Sequence, residues 1–162
     1  MNSRIQLFGL LGFLALVLTV SVSAQQAGGQ NIAGMKFATF PGLPTCALGA
    51  VQSGNPATGP SIIAAKLSAG CVIPWHWHTP VESLMIVSGT ARMEMKDAKA
   101  MTFKAGGFAQ VLSNHAHQFR CTTPCTFFVH SDTAFDIHYV NAAGTEIPPA
   151  DALKAVKEKP GK

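Results

Sequence analysis

Residues 70–89 read GCVIPWHWHTPVESLMIVSG, and this stretch decides how the rest of the chain is interpreted. His76 and His78 are separated by one residue, and Glu82 follows four positions later. Side chains alternate between the two faces of a strand, so both imidazoles should point to the same side. Thr79-Pro80 is a turn signal, after which a returning strand can bring Glu82 to that side as well. Two nitrogens and one carboxylate oxygen at a common point are suitable ligands for a divalent transition metal.

The chain on both sides of this stretch predicts an all-β domain. Short apolar runs are broken by glycine, proline, asparagine and serine, and turn signals recur about every 8 to 12 residues, as in a β-sandwich or β-barrel. The candidate strands are residues 47–52, 61–67, 72–78, 83–87, 90–95, 100–103, 109–112, 117–121, 126–130 and 135–140. Residues 151–157 can form one short helix after the sheet region, with Asp151 at its start and Lys157 at its end.

The first 24 residues have the pattern of a secretory signal peptide. Arg4 supplies a positive charge, residues 5–20 form an apolar run, and Val22-Ser23-Ala24 is a small-residue cleavage site. The alternative is a membrane anchor, but an apolar run of about 16 residues is short for crossing a bilayer. We therefore expect cleavage after Ala24, a mature chain that leaves the membrane, and a location in the periplasm or outside the cell.

The predicted organisation of the chain has four parts. They are a signal peptide at 1–24, a flexible leader at 25–34, a β-barrel domain at 35–146, and a C-terminal tail with a short helix at 147–162. The small excess of basic over acidic residues lies partly in that tail. No basic stripe is interleaved with aromatic residues in the sequence, so we expect no nucleic-acid partner.

The four cysteines would be exported into a compartment where disulfides form. Three pairings are possible for Cys46, Cys71, Cys121 and Cys125. The segment Cys121-Thr-Thr-Pro-Cys125 is typical of two strand ends that face each other over a tight turn, which favours a Cys121–Cys125 bridge. Cys46–Cys71 is the pairing considered for the other two. The spacings are not those of a zinc ribbon or finger, and the sequence leaves the pairing open.

The opening stretch resembles the first sequence motif of the cupin superfamily in full. That motif is glycine, five residues, histidine, one residue, histidine, three residues, glutamate, six residues and glycine. Here its positions are Gly70, His76, His78, Glu82 and Gly89. The resemblance implies a small antiparallel jelly-roll barrel with a metal ion inside. The predicted fold is therefore an all-β jelly-roll barrel with a short C-terminal helix.

The second cupin motif is matched at its first glycine and at its histidine. Counting from Gly106 places His117, rather than His115, in the register of the ligand. Leu112 stands where the motif has proline, and Asn114 stands where it has its second glycine. Asparagine can adopt the left-handed backbone conformation that a glycine would supply there.

The resemblance covers about residues 60–141 and is to small single-domain bacterial cupins, which end in a run similar to residues 135–141. Cys121 stands where a cupin has asparagine. The same resemblance implies the set of metal ligands, which is His76, His78, Glu82 and His117. Phe119 and Cys121 share the strand face of His117, so they are candidates for lining the pocket, and Cys121 for an extra ligand if it is not oxidised.

Four such ligands leave one or two coordination positions for water, dioxygen or a chelating substrate. The set suits one divalent copper, iron, manganese, zinc or nickel ion, and export favours copper or zinc because the chain would take metal by affinity and supply. The resemblance makes a metal-dependent oxidoreductase of the dioxygenase or oxidase type the first hypothesis, acting on a small molecule or carbohydrate. Glu82 is its candidate catalytic base. The alternatives are a metal-dependent lyase or isomerase and a non-catalytic binder of metal or a small ligand.

Trp75 and Trp77 should face away from the ligands, with Ile73 on the same face. We expect this apolar stripe to be covered in a homodimer. Packing beneath a second sheet and a stacking platform for a sugar are the alternatives. The substrate, the metal and the reaction type are not determined by the sequence.

Overall fold

The structure is a computed structural model that describes residues 28–157. The predicted signal peptide and its cleavage site lie outside the described residues, as do residues 25–27 of the leader and 158–162 of the tail. The described part of the leader contains one 3-10 turn, Ile32–Gly34, and its flexibility stays a prediction. Between residues 28 and 157, no helix is both long enough and apolar enough to cross a membrane.

Two antiparallel sheets make up the described part of the chain, followed by one helix. The elements are β1 (Ala38–Thr39), β2 (Ala47–Gly54), β3 (Ser61–Leu67), β4 (Val72–Trp77), β5 (Glu82–Ser88), β6 (Ala91–Met95), β7 (Met101–Phe103), β8 (Phe108–Val111), β9 (His117–Cys121), β10 (Cys125–Ser131), β11 (His138–Tyr139) and α1 (Pro149–Lys157). The six-stranded sheet has the order β1-β2-β3-β10-β5-β8, and the five-stranded sheet has the order β11-β4-β9-β6-β7. The predicted all-β jelly-roll fold with a short C-terminal helix is confirmed.

The core lies between the facing sheets and is built from alternate residues of the strands. Ala91, Met93 and Cys121 have no exposed surface, and the rings of Phe119 and Phe127 meet across the sheets with centroids 5.1 Å apart. On β6 and β9 the intervening positions carry polar or charged side chains, which are Arg92, Glu94, Gln118 and Arg120. This alternation is why the short apolar runs of the sequence form strands with one buried face.

Two disulfides tie the ends of strands together. Cys46 is bonded to Cys71, with the Cα atoms 5.7 Å apart, and Cys121 to Cys125, with the Cα atoms 5.8 Å apart. Both pairings considered from the sequence are therefore confirmed. With its sulfur in a disulfide, Cys121 is not the additional soft metal ligand that the sequence had left open.

The predicted outward stripe on β4 is wrong at Ile73. Ile73 pairs with Phe119 of β9 and His76 pairs with His117, so β4 carries one extra residue between these two pairs. An extra residue reverses the alternation of side chains along a strand. Ile73 therefore packs into the interior on the same side as His76, and only Trp75 and Trp77 remain of the stripe.

The predicted strand at 135–140 is also wrong over its first half. Only His138–Tyr139 pairs with β4, and residues 135–137 form a loop at one end of the barrel. The reason is that the carbonyl of Asp136 accepts a hydrogen bond from a side chain, His78 Nδ1, instead of from a neighbouring strand. After this loop, Trp77 and His138 stack with their ring centroids 3.9 Å apart.

Candidate metal centre

The four candidate ligands converge at one end of the barrel interior. His76 on β4 and His117 on β9 are direct cross-strand partners. His78 follows the end of β4, and Glu82 is the first residue of β5. All four side chains are buried, with residue exposures between 2% and 5%. The hairpin geometry predicted for residues 76–82 therefore brings these groups together.

The three histidines form a compact group. Each offers a ring nitrogen within 4.8 Å of the nitrogens of the other two. The ring centroids of His76 and His117 are 4.1 Å apart, and those of His76 and His78 are 4.7 Å apart. A single ion can be reached by three nitrogens at such separations, because each bond from a transition metal to an imidazole nitrogen is about 2 Å long.

Each imidazole is oriented by a backbone carbonyl. His76 Nδ1 lies 2.6 Å from the Pro74 carbonyl oxygen, and His117 Nδ1 lies 3.0 Å from that of His115. His78 Nδ1 is bonded to the carbonyl of Asp136. A carbonyl only accepts, so Nδ1 carries the proton and donates in all three rings. The lone pair of each Nε2 is left for a metal ion, which is the arrangement that outer hydrogen bonds commonly impose on ligating histidines.

Burial keeps the imidazoles neutral. It lowers the pKa of His78 and of His117 to about 4, against the hydrogen bonds to Asp136 and His115 that favour protonation. The pKa of His76 also lies well below its usual value, because of burial and of the neighbouring His117 and His78. Neutral imidazole is the form that binds a metal.

Glu82 is the only carboxylate among the residues that line this interior in the described chain. Its Oε2 lies 3.2 Å from His78 Nε2, but the group of mutually close ligand atoms contains only the three histidines. Burial, and then the nearby Asp136 carboxylate, raise the pKa of Glu82 to about 8. Without a cation, Glu82 is therefore protonated at neutral pH and can donate to His78 Nε2. Its role as a fourth ligand stays a prediction.

The departures from the second cupin motif are accommodated locally. Asn114 has a φ of 59°, which is the left-handed conformation expected for the residue replacing glycine. Its backbone N–H donates to the His78 carbonyl at 2.8 Å, and the Ser113 hydroxyl donates to the Thr79 carbonyl at 2.6 Å. The turn before His117 is thus tied to the end of β4. His115 is exposed there and contributes only its carbonyl.

The ligands form part of the wall of a cavity of about 80 Å³. Apart from His76, His78, Glu82 and His117, every residue that lines it is apolar. Phe119 is one of them, as its strand parity predicts, whereas Cys121 is not. What sequence reasoning missed is Asp136, whose carbonyl and carboxylate both act at the site and which no motif marks.

The donor set fits a divalent transition metal. Three neutral imidazoles present Nε2 lone pairs, of which that of His78 is paired with protonated Glu82 in the absence of a metal, and no lysine or arginine of the described chain lines the cavity. A buried carboxylate without a cation is costly and takes up a proton instead, which a metal ion can replace. The three-histidine group can therefore hold a metal ion, and the residues do not select one metal.

A family model described as "Cupin domain" matches residues 65–131, which include all four candidate ligands. Residues 65–131 therefore carry a cupin domain, in agreement with the motifs of the sequence. No curated protein matches the sequence.

Two solved structures illustrate the likeness. An RmlC-like cupin from Shewanella frigidimarina has a TM-score of 0.55 at 13% identity, over 67% of this chain and 92% of that chain. A structure described with the DMSP lyases RdDddP and RnDddQII has a TM-score of 0.52 at 19% identity, over 59% of this chain. This chain spans 53% of the length of that second protein. At such identities the likeness shows the fold alone.

Proposed function

We propose that this protein is an exported, mononuclear metal-dependent oxidoreductase of the dioxygenase or oxidase type that acts on a small, largely apolar molecule. The observation that carries the proposal is the convergence of three neutral imidazoles on a small apolar cavity. When bound, a redox-active divalent metal supplies Lewis acidity and electron transfer. The side chains of the protein bind the ion, move protons and exclude water.

Each side chain of the site has a definite task in this proposal. His76, His78 and His117 hold the ion, with the Nδ1 hydrogen bonds keeping each Nε2 aimed inward. Glu82 completes the ligand set or, when it is deprotonated and not bound to the ion, acts as the catalytic base beside His78. The apolar wall excludes water, which strengthens electrostatic interactions inside and suppresses hydrolytic side reactions.

The lining of the cavity narrows the substrate class. A sugar carries hydroxyl groups all round, and each buried hydroxyl without a hydrogen-bond partner costs free energy. Outside the four candidate ligands, the wall offers no polar side chain to such groups. We therefore favour a small molecule over a carbohydrate, with its polar atoms gathered at the end that reaches the metal.

The identity of the metal depends on where the chain folds. If the signal peptide directs export, the protein folds in the periplasm or outside the cell, where copper and zinc outcompete iron and manganese for nitrogen ligands. Copper fits the oxidoreductase proposal because it is redox-active, whereas zinc is not. Cell fractionation of a tagged full chain tests this part, and retention of an unprocessed chain in the cytoplasm would contradict it.

The test of the function begins with metal content. The full chain is expressed so that export and processing can occur, and metals in the purified protein are measured by mass spectrometry. We expect close to one transition metal per chain, lost in a His76→Ala/His78→Ala double variant. His130→Ala is the matched control, because His130 lies on β10 but does not line the cavity. Equal metal content in wild type and double variant would contradict a site at these histidines.

Dioxygen consumption then tests the reaction. Uptake is followed with an electrode while small molecules that carry polar atoms at one end, such as a short aliphatic thiol, are supplied. The proposal predicts uptake that requires the metal and is lost in the double variant. A metal-loaded protein that neither consumes dioxygen nor converts any compound would favour a non-catalytic metal-binding or ligand-binding role.

The second candidate function is a metal-dependent lyase or isomerase. It is favoured by Glu82, a buried carboxyl group beside His78 with a pKa raised to about 8, because its deprotonated form is a stronger base than an ordinary carboxylate and can take a proton from carbon. The fold likeness to a structure described with DMSP lyases agrees with this candidate without establishing it. Turnover that continues without dioxygen and is lost in Glu82→Gln would select this reaction over the oxidative one.

A further inference from the structure

Two loops close the end of the cavity beside the candidate metal centre. Among the lining residues, those on the strands are mostly buried, whereas Phe40, Leu43, Phe135 and Ile137 are half-buried. The first two lie between β1 and β2, and the last two lie between β10 and β11. Half-buried side chains that line a cavity stand between it and solvent, so these loops form its mouth.

The two loops are joined to each other. The Tyr139 hydroxyl donates to the Gly42 carbonyl at 2.8 Å, which ties the first loop to β11. Gly42 of the first loop also lies close to Ile137 of the second, since a Cβ atom built at Gly42 would lie 3.6 Å from Ile137 Cγ2. The ring of Phe135 also lies 5.1 Å from that of His78, centroid to centroid. The two loops therefore approach each other and narrow the mouth next to a candidate ligand.

Phe40 occupies space that only a glycine leaves open. A Cβ atom on Gly49 of β2 would lie 2.5 Å from Phe40 Cε2 and 2.9 Å from Phe40 Cδ2. The phenyl ring therefore rests on bare backbone and extends over the cavity. Any side chain at position 49 would push the ring away from β2.

The remaining volume is small. The cavity measures about 80 Å³, whereas an apolar protein cavity of about 150 Å³ is known to bind benzene. With Phe40 in this position, the space beside the three histidines accommodates a ligand of a few heavy atoms but not an aromatic ring.

We infer that Phe40 is a specificity-determining residue, which limits access to the candidate metal centre to ligands smaller than benzene. This inference rests on the proposed metal site and deepens it by naming the size class of its ligands. Removing the ring enlarges the cavity at its mouth and leaves the three imidazoles and their Nδ1 hydrogen bonds untouched.

The test reads ligand binding from the visible spectrum of the Co(II)-loaded full chain. Azide, which is small, and phenylimidazole, which is larger than benzene, are titrated into wild type and Phe40→Ala. We expect azide to bind both proteins with similar affinity. We expect phenylimidazole to bind Phe40→Ala at least about tenfold more tightly than wild type. Phe108→Ala is the matched control, because Phe108 is exposed on the six-stranded sheet, and it should behave like wild type.

The possible failures are distinguishable. If wild type takes up no Co(II), the proposed metal site fails and the inference fails with it. If Co(II) and azide bind but phenylimidazole has the same affinity for wild type and Phe40→Ala, only the role of Phe40 is overturned. Phe40→Leu keeps an apolar side chain at the position and covers the case in which Phe40→Ala does not fold. It should give a smaller gain in the same direction, and no gain would overturn the inference.

Discussion

Glu82 and the histidines of the site oppose each other in their effect on stability. His78 and His117 have folded-state pKa values of about 4, below the value of 6.5 expected in the unfolded chain. The unfolded state therefore binds more protons between pH 4 and 6.5, and stability falls as the pH drops through this range. Glu82 has a folded-state pKa of about 8, above the unfolded value of 4.5. Its contribution is present below pH 4.5 and is lost as the pH rises towards 8.

We predict that the metal-free protein is most stable near pH 6.5. Below that pH the protons bound by the unfolded histidines outnumber the one held by folded Glu82. At higher pH the protons that the folded state keeps on Glu82, and on His138, whose pKa is raised against desolvation by Glu146 and Asp136, come to outnumber those that the unfolded histidines still bind. Between pH 6.5 and 8, this one carboxyl group should lower the free energy of unfolding by about 2 kcal/mol. Urea denaturation of chelator-treated protein at the two pH values measures the change.

Glu82→Gln is the control for this prediction, because its amide does not titrate. The difference in unfolding free energy between pH 6.5 and 8 should be less unfavourable in the variant than in wild type by about 2 kcal/mol, while the decrease on the acid side remains. A wild-type protein whose stability is constant or rising over the alkaline interval would show that Glu82 is not the buried, uncompensated group that the structure places beside His78.

At the scale of the single residue, the sequence predicted the candidate ligands of the site but not the hydrogen bonds that orient the histidine rings. The spacing of His76, His78 and Glu82 indicates candidate metal ligands, because the type of each side chain and the strand face it occupies can both be predicted from the sequence. The second motif adds His117. The sequence does not identify the three backbone carbonyls that orient the imidazoles, because every residue has a carbonyl. Only the folded chain shows that Asp136, distant in sequence, supplies one to His78.

The two disulfides join elements over very different chain lengths. Cys46 and Cys71 are 25 residues apart, whereas Cys121 and Cys125 are four apart. A longer closed loop removes more conformational entropy from the unfolded chain. The Cys46–Cys71 bridge also anchors the end of the loop that carries Phe40.

We predict that Cys46→Ala/Cys71→Ala lowers the free energy of unfolding by about 3 kcal/mol, and that Cys121→Ala/Cys125→Ala lowers it by about 2 kcal/mol. Denaturant unfolding of the two double variants beside wild type measures both values. The second variant serves as the control for the general effect of removing a disulfide. An equal or reversed order would contradict loop length as the deciding factor.

At the scale of the element, periodicity succeeded where strands are regular. The strands at 61–67 and 117–121 were predicted with the bounds that the structure has. The predicted alternation of side chains was wrong at Ile73 of β4, because one extra residue between Ile73 and His76 reverses the side that Ile73 faces. A bulge depends on how two strands pair, and that pairing is decided by β9 and not by β4 alone. Contacts with distant residues likewise decide residues 135–137, where the Phe135 N–H donates to the Pro56 carbonyl and the Asp136 carbonyl accepts from His78 Nδ1.

The assembly of the whole molecule stays a prediction. Large apolar side chains remain exposed on the described surface, including Phe108 at 58% and Leu112 at 56%. Burial of such surface favours association. We therefore predict a homodimer, measured as twice the mass of the processed chain by sedimentation equilibrium over a range of concentrations. The mass of a single chain at every concentration would contradict it.

The sequence by itself determined the class of fold, the hairpin that carries the first three candidate ligands and the register of the fourth. Motif spacing and the alternation of apolar and polar residues are local properties, so they can be recognised in the sequence. Tertiary structure alone decided how the site is closed. The contact of Phe40 with Gly49, the bond from Tyr139 to Gly42 and the small apolar cavity arise between segments far apart in the chain. No local pattern records such contacts, because they depend on which strands pack together.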